Sequence, residues 1–127
     1  LPSGRRLAYV APRLALDEET GRYSLTYQGI HQRTRAWTVL RTYGGKIVEN
    51  IVQAIARDCL CESMLALDEK DYMQLMTIHD EIVIEAPNGI GSLDEVTEIL
   101  GAPIAWAPGL PLRADGFETE YYQKEIE

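Results

Sequence analysis

Histidine and cysteine are both scarce in this 127-residue chain, with two of each. His31 and His79 lie far apart and neither belongs to an H-E-x-x-H pattern, which excludes a histidine-rich metal site. Cys59 and Cys61 lie two apart in a helical pattern, so they face different sides and do not bridge; they read as reduced packing residues of a cytosolic protein. No apolar run approaches the roughly 20 residues that span a bilayer, so no membrane association is expected. There is no G-x-S-x-G elbow, and Gly89-Ile90-Gly91-Ser92 precedes a helix without a Walker lysine. A serine hydrolase and a phosphate-cradling loop are thereby set aside. No signal peptide is visible, and the start Leu1-Pro2-Ser3-Gly4 lacks Met, which suggests a fragment or a processed product. Repeats and low-complexity segments are absent.

The length fits one domain able to bury a core. The net charge of −8 argues against nucleic acid as a partner until its distribution is considered. Residues 1–46 carry eight Lys/Arg against three acids, a balance of +5, and residues 47–127 carry four against seventeen, a balance of −13. A basic first third is suited to phosphates, and an acidic remainder to solvent or metal. Ordinary strand and loop arginines would give the same count.

Residues 5–11 and 22–28 alternate as strands, separated by the polar turn cluster Asp17-Glu18-Glu19-Thr20-Gly21, which predicts an antiparallel hairpin. Residues 30–43 are ambiguous, either extended or a short helical lead-in. Gly44-Gly45 breaks the pattern, and a long helix follows from about Lys46 to about Leu67. Apolar residues cover most of its circumference, which predicts burial. Lys46, Asn50, Gln53 and Arg57 form a narrow polar stripe on its first three turns, within about 60° of one another. Asp68-Glu69-Lys70-Asp71 reads as a charged loop, and Ser92 as the N-cap of a short helix, Leu93 to about Leu100, stopped by Gly101-Ala102-Pro103. Leu112 to Glu118 is a candidate last strand, followed by the aromatic and polar tail Tyr121-Tyr122-Gln123-Lys124. Strands and helices do not alternate regularly, so the expected class is α+β with a small antiparallel sheet packed on one long helix.

The most informative feature is His79-Asp80-Glu81, set between the apolar runs Tyr72–Ile78 and Ile82–Pro87. Burying unpaired carboxylates is costly, so a positive group should meet them. If the runs are strands and the Asp-Glu pair makes the turn, Asp80 gains a rigid mount with an exposed carboxylate. Asp80 is then the candidate direct metal ligand and Glu81 a helper or weaker ligand. Oxygen donors suit Mg²⁺ or Mn²⁺ over zinc. A plain solvated acidic turn would carry the same residues. A separate metal-dependent phosphohydrolase using His79 and Asp80 would need further acids or histidines close by.

Ile78-His79-Asp80-Glu81-Ile82-Val83 resembles motif C of the family A, or polymerase-I-like, DNA polymerases, a His-Asp-Glu turn between apolar strands of the palm. Gly4-Arg5-Arg6-Leu7 resembles the Gly-Arg-Arg segment that follows the fingers. Glu49-Asn50-Ile51-Val52-Gln53 resembles the helix whose Asn and Gln reach the DNA minor groove. Leu110-Pro111-Leu112 resembles the end of the palm. Thr42–Lys46 and Trp106–Leu112 look more like phage-encoded members than cellular ones. The resemblance runs in the expected order over nearly the whole chain.

What the resemblance implies is the second half of a polymerase palm as a single domain, with residues 1–45 a basic hairpin region and residues 46–127 the helix and palm sheet. Asp80 would be one of two aspartates holding a Mg²⁺ pair (Mn²⁺ as a substitute), and Glu81 the supporting acid, for template-directed nucleotidyl transfer. His79 would lie near the primer terminus. Gln53 and Asn50 would donate to minor-groove acceptors, and Lys46 would face a phosphate or groove edge. Partners would be primer–template DNA and a dNTP, in the cytoplasm of a bacterium carrying a phage or prophage. The family spaces an Arg, an Asn and a Gln at four-residue steps; stepping back from Gln53 gives Glu49 and Gly45, so Asn50 and Lys46 are each displaced by one. The family's motif A aspartate and fingers helix are not present in these residues, so the chain alone is expected to be inactive, to bind Mg²⁺ weakly or not at all, and to self-associate through uncovered apolar surface. The alternative reading is a non-catalytic nucleic-acid-binding module.

Overall fold

The computed structural model describes residues 1–18 and 20–123; Glu19 of the turn cluster and Lys124 of the tail lie outside the described residues. The class is α+β, with two small antiparallel sheets and one long helix. The chain divides into two compact units, one of Leu1 with Ser3–Ala54 and one of Pro2 with Ile55–Glu127.

The first unit is a three-stranded meander, β1 (Val10–Asp17), β2 (Arg22–Ile30) and β3 (Trp37–Thr42), in spatial order β1-β2-β3. The expected hairpin is present, but its first strand begins at Val10, not at residue 5. Leu1–Gly4 forms a turn closed by the Gly4 amide on the Leu1 carbonyl, and a bulge between Val10 and Arg13 resets the register, with Ala11 at φ +46°. The alternation that continues through Arg13, Leu14, Ala15 and Leu16 is what pairs, closing with Asp17 opposite Arg22. The turn forms where the polar cluster predicts it. Asp17 anchors it, its carbonyl accepting from the Gly21 amide at 2.7 Å and its carboxylate from the Thr20 amide at 3.3 Å. The ambiguous stretch 30–43 resolves into β3, paired with β2 from Leu25 opposite Thr42 to Ile30 opposite Trp37.

Helix α1 (Gly44–Asp68) is continuous and takes in the Gly-Gly pair at its first turn. Its circumference is not buried as its composition predicts: Val48, Val52 and Leu65 are 58–63% exposed, and burial is confined to Asp58, Cys59, Ser63 and Leu67. Apolar residues all round a helix require neighbours all round, and the described residues supply only part of such a shell. Both cysteines are free, and burial, with Asp58 beside it, pushes the Cys59 thiol up, as suits an unreactive packing residue.

The second unit continues with a two-stranded hairpin, β4 (Met73–Ile78) and β5 (Glu81–Glu85), and helix α2 (Leu93–Leu100). The α2 boundaries are those its caps predict: the Ser92 hydroxyl accepts from the Glu95 amide, and Gly101 closes the other end. A correction concerns residues 112–118, which form no strand. They follow Pro111 and find no edge to pair with among the described residues. Leu112 and Ala114 are half-buried between exposed neighbours, and Gly116 packs so close to Leu93 that a Cβ there would sit 2.9 Å from its Cδ1. The alternation that suggested a strand belongs to an irregular segment whose Gly116 lies against Leu93 of α2.

Candidate functional site

The β4–β5 connection is a two-residue turn. Ile78 pairs with Glu81, leaving only His79 and Asp80 at the bend, so Glu81 opens β5 instead of sharing the turn with Asp80. This moves the turn one residue earlier than the sequence suggests, because a tight antiparallel pair closes on two residues. His79 takes φ +55°, the left-handed region required at the first central position of such turns and usually filled by glycine. Histidine tolerates it better than β-branched residues do.

Hairpin closure fixes where the acids point. Asp80 projects from the bend and is exposed, and among the described residues its carboxylate enters no ion pair. Glu81 is also exposed, and its place opposite Ile78 puts it on the same face as Met76 and Val83. A bulge between Gln74 and Met76 adds twist to β4 just before the turn. The hairpin is tied to α1 by Gln74, whose amide donates to the Met64 carbonyl at 2.8 Å, and by Arg57, whose guanidinium reaches the Thr77 hydroxyl at 3.4 Å. Arg57 reads in the sequence only as one member of a polar stripe; nothing in the spacing reveals that it braces the strand leading into the bend.

On donor chemistry, an exposed carboxylate on the bend and a second at the first position of β5 fit a hard cation that prefers oxygen. On number, the set is incomplete: among the described residues no group of three or more His, Cys, Asp or Glu converges on one point.

The helix candidates separate into two groups, all within the first unit. Lys46 donates to both oxygens of Glu49, at 2.9 and 3.0 Å, and the Gln53 amide donates to the same carboxylate at 3.3 Å. This hydrogen bond and the charge of Glu49 hold the Lys46 ammonium above its ordinary value. Lys46 and Gln53 are exposed. Glu49 is therefore the residue that organises them, and its three- and four-residue spacings to Lys46 and Gln53 are the signal by which it is found. Asn50 is half-buried and turned elsewhere, donating to the Tyr9 hydroxyl at 3.0 Å, while the Tyr9 ring meets Tyr27 edge-on at 5.1 Å. Of the helical stripe, Lys46 and Gln53 thus share an exposed cluster with Glu49, while Asn50 is engaged within the fold.

Comparison with known proteins gives one informative match. The chain is 55% identical over 125 residues to a protein described as "DNA polymerase" from Bacillus phage SP02. That alignment covers 98% of this chain and 19% of the phage protein. The chain therefore corresponds to a stretch of about a fifth of that relative's length. No family model matches the chain, and no solved structure matches it. No described helix is long and apolar enough to cross a membrane.

Proposed function

We propose that this chain is the part of a family A DNA polymerase palm that carries motif C, and that Asp80 is one of its metal-binding carboxylates. The observation that carries the reading is the His79-Asp80 bend, an exposed aspartate on a two-residue β-turn in a chain 55% identical to a stretch of a phage DNA polymerase. The polymerase assignment comes from that relative; the role of the acid comes from its exposure and rigid mount.

In this reading Asp80 would be the residue that holds a divalent cation. Bound there, such a cation would supply Lewis-acid chemistry, favouring deprotonation of a primer hydroxyl and offsetting charge on the nucleotide phosphates. The chain's own residues orient. Glu81 would add a second negative charge near such a cation from the first position of β5. His79 places a ring next to the primer end. Arg57, by bracing Thr77, keeps the strand leading into the bend in place. On the helix Gln53, and Lys46 with it, face the minor groove or a phosphate once released from Glu49, and donors to the minor groove check pair geometry without reading sequence. Asn50 acts through Tyr9, as a support for the sheet.

The test is single-nucleotide incorporation by the polymerase that contains this chain. Asp80→Ala abolishes incorporation and leaves primer–template affinity within about twofold, a difference of only ~0.4 kcal/mol. Incorporation that survives this substitution at the wild-type rate overturns the assignment.

A further inference from the structure

The Asp80 hairpin leaves unexplained the most basic part of the molecule. Between Glu19 and Glu49 the sequence contains no acid at all, but carries Arg22, Arg33, Arg35, Arg41 and Lys46. Arg41 is already engaged, donating to Asp17 at 2.6 Å, and Lys46 is engaged by Glu49. Arg33 and Arg35 are different. Both are exposed, both sit in the connection between β2 and β3, and among the described residues neither enters an ion pair.

That connection is an ordered turn. The His31 amide donates to the Ala36 carbonyl at 2.9 Å, and the Arg35 amide to the His31 carbonyl at 2.8 Å. The His31 ring then caps the turn from inside: its Nδ1 accepts from the amides of Arg33 and Thr34 at 3.3 and 3.2 Å. Arg35 itself holds a left-handed φ of +57°. Two guanidiniums are therefore carried on a wound turn whose Arg33, Thr34 and Arg35 amides are internally satisfied, and their long side chains are left to solvent. Immediately after it Trp37, the first residue of β3, is 59% exposed, an aromatic surface beside the two cations.

Unpaired arginines next to an uncovered indole, in an acid-free stretch, are complementary to a polyanion that also offers flat rings. We infer that the β2–β3 turn, through Arg33, Arg35 and Trp37, is a DNA contact: the arginines bind backbone phosphates and Trp37 lies against a sugar or base. His31 is a positioning residue, since its ring acceptor winds the turn. The inference rests on the polymerase reading only for the choice of DNA as the polyanion, and it is tested by binding, not by catalysis.

The experiment measures DNA affinity of the parent polymerase against salt, for the wild type and for Arg33→Ala/Arg35→Ala. Each phosphate contact contributes about 0.9 to the slope of log K on log salt, so losing two makes the slope shallower by about 1.8. Between about 50 and about 200 mM salt the wild type then loses roughly tenfold more affinity than the variant. Arg33→Lys/Arg35→Lys retains both charges and restores the slope, which separates charge from folding of the turn. Run on a blunt duplex and on a template with a single-stranded overhang, the assay identifies the strand: a slope change on both places the turn on duplex backbone, and a change only on the overhang places it on the unpaired template. An unchanged slope on both, or a lysine variant as shallow as the alanine one, overturns the inference. Wild-type protein that binds DNA with the expected slopes but fails to incorporate nucleotides would count against the polymerase reading and leave this one standing.

Discussion

At His79 the backbone holds a conformation that favours glycine, and the chain tolerates it at the bend where Asp80 is displayed. A positive φ on a non-glycine residue costs on the order of 1 kcal/mol or more and persists where the surroundings enforce it. His79→Gly is accordingly expected to leave stability unchanged or raise it by up to about 1 kcal/mol, and His79→Val to lower it, as read by urea unfolding. If His79 also serves the primer end, the glycine variant gains stability and loses incorporation rate. The residue scale is where sequence reading was most uneven. The exposure of Asp80 follows from two charges between apolar runs, because only a bend or a partner resolves that pattern. The partner of Asn50 does not follow, because Tyr9 is forty-one positions away and no spacing rule links a loop tyrosine to a helix. Glu49 lay within reach of a local rule, since side chains three and four apart on a helix meet.

Elements were legible where both ends carry their own signals. Helix α2 is bounded by Ser92 and Gly101, and the structure adds one detail to its cap: the Tyr72 hydroxyl donates to Glu95 at 2.7 Å and accepts from the Ser92 amide at 3.3 Å, standing between the two residues of the capping pair. The hydrogen bond from Tyr72, then Lys70, holds the Glu95 carboxyl below its ordinary 4.5, and the same bond to Glu95 lifts the Tyr72 phenol above its ordinary 10.0. The Glu95 contribution to stability is thus present above 4.5 and lost as pH falls through the lower folded value; the Tyr72 contribution is present below 10.0 and lost as pH rises through the higher one. Tyr72→Phe should flatten the stability profile at both extremes, and a profile unchanged in acid and alkali would show that the bond contributes nothing. Gly91 guards the same contact. At φ +76° a Cβ there would lie 2.6 Å from the Tyr72 hydroxyl, so Gly91→Ala is expected to destabilise by about 1–3 kcal/mol in denaturant unfolding. Strands were harder. β1 begins at Val10 and carries a bulge at Ala11 and Pro12, which alternation alone does not reveal, and residues 112–118 alternate without a neighbour to pair with among the described residues. A strand is defined by its partner, and the partner is not written in the segment.

At the scale of the whole molecule, the described residues are short of interior. Leu67 is fully buried, yet Leu14, Tyr23, Val48, Val52 and Leu65 are each more than half exposed. Composition promised a sizeable core, but composition counts apolar residues and not the surfaces available to cover them. We propose that in a longer polymerase these residues meet the remainder of the palm, and that the isolated 127-residue chain instead self-associates. Sedimentation velocity is expected to show mass rising with protein concentration; a monomer at all concentrations would contradict this. The central claim, that Asp80 holds a divalent cation for phosphoryl transfer, is tested most directly by counting Mn²⁺ through its paramagnetic resonance in the parent polymerase bound to primer–template and nucleotide. Asp80→Asn is expected to weaken or remove Mn²⁺ binding while the DNA complex stays intact. Wild-type Mn²⁺ stoichiometry and affinity in the Asn variant would contradict the account.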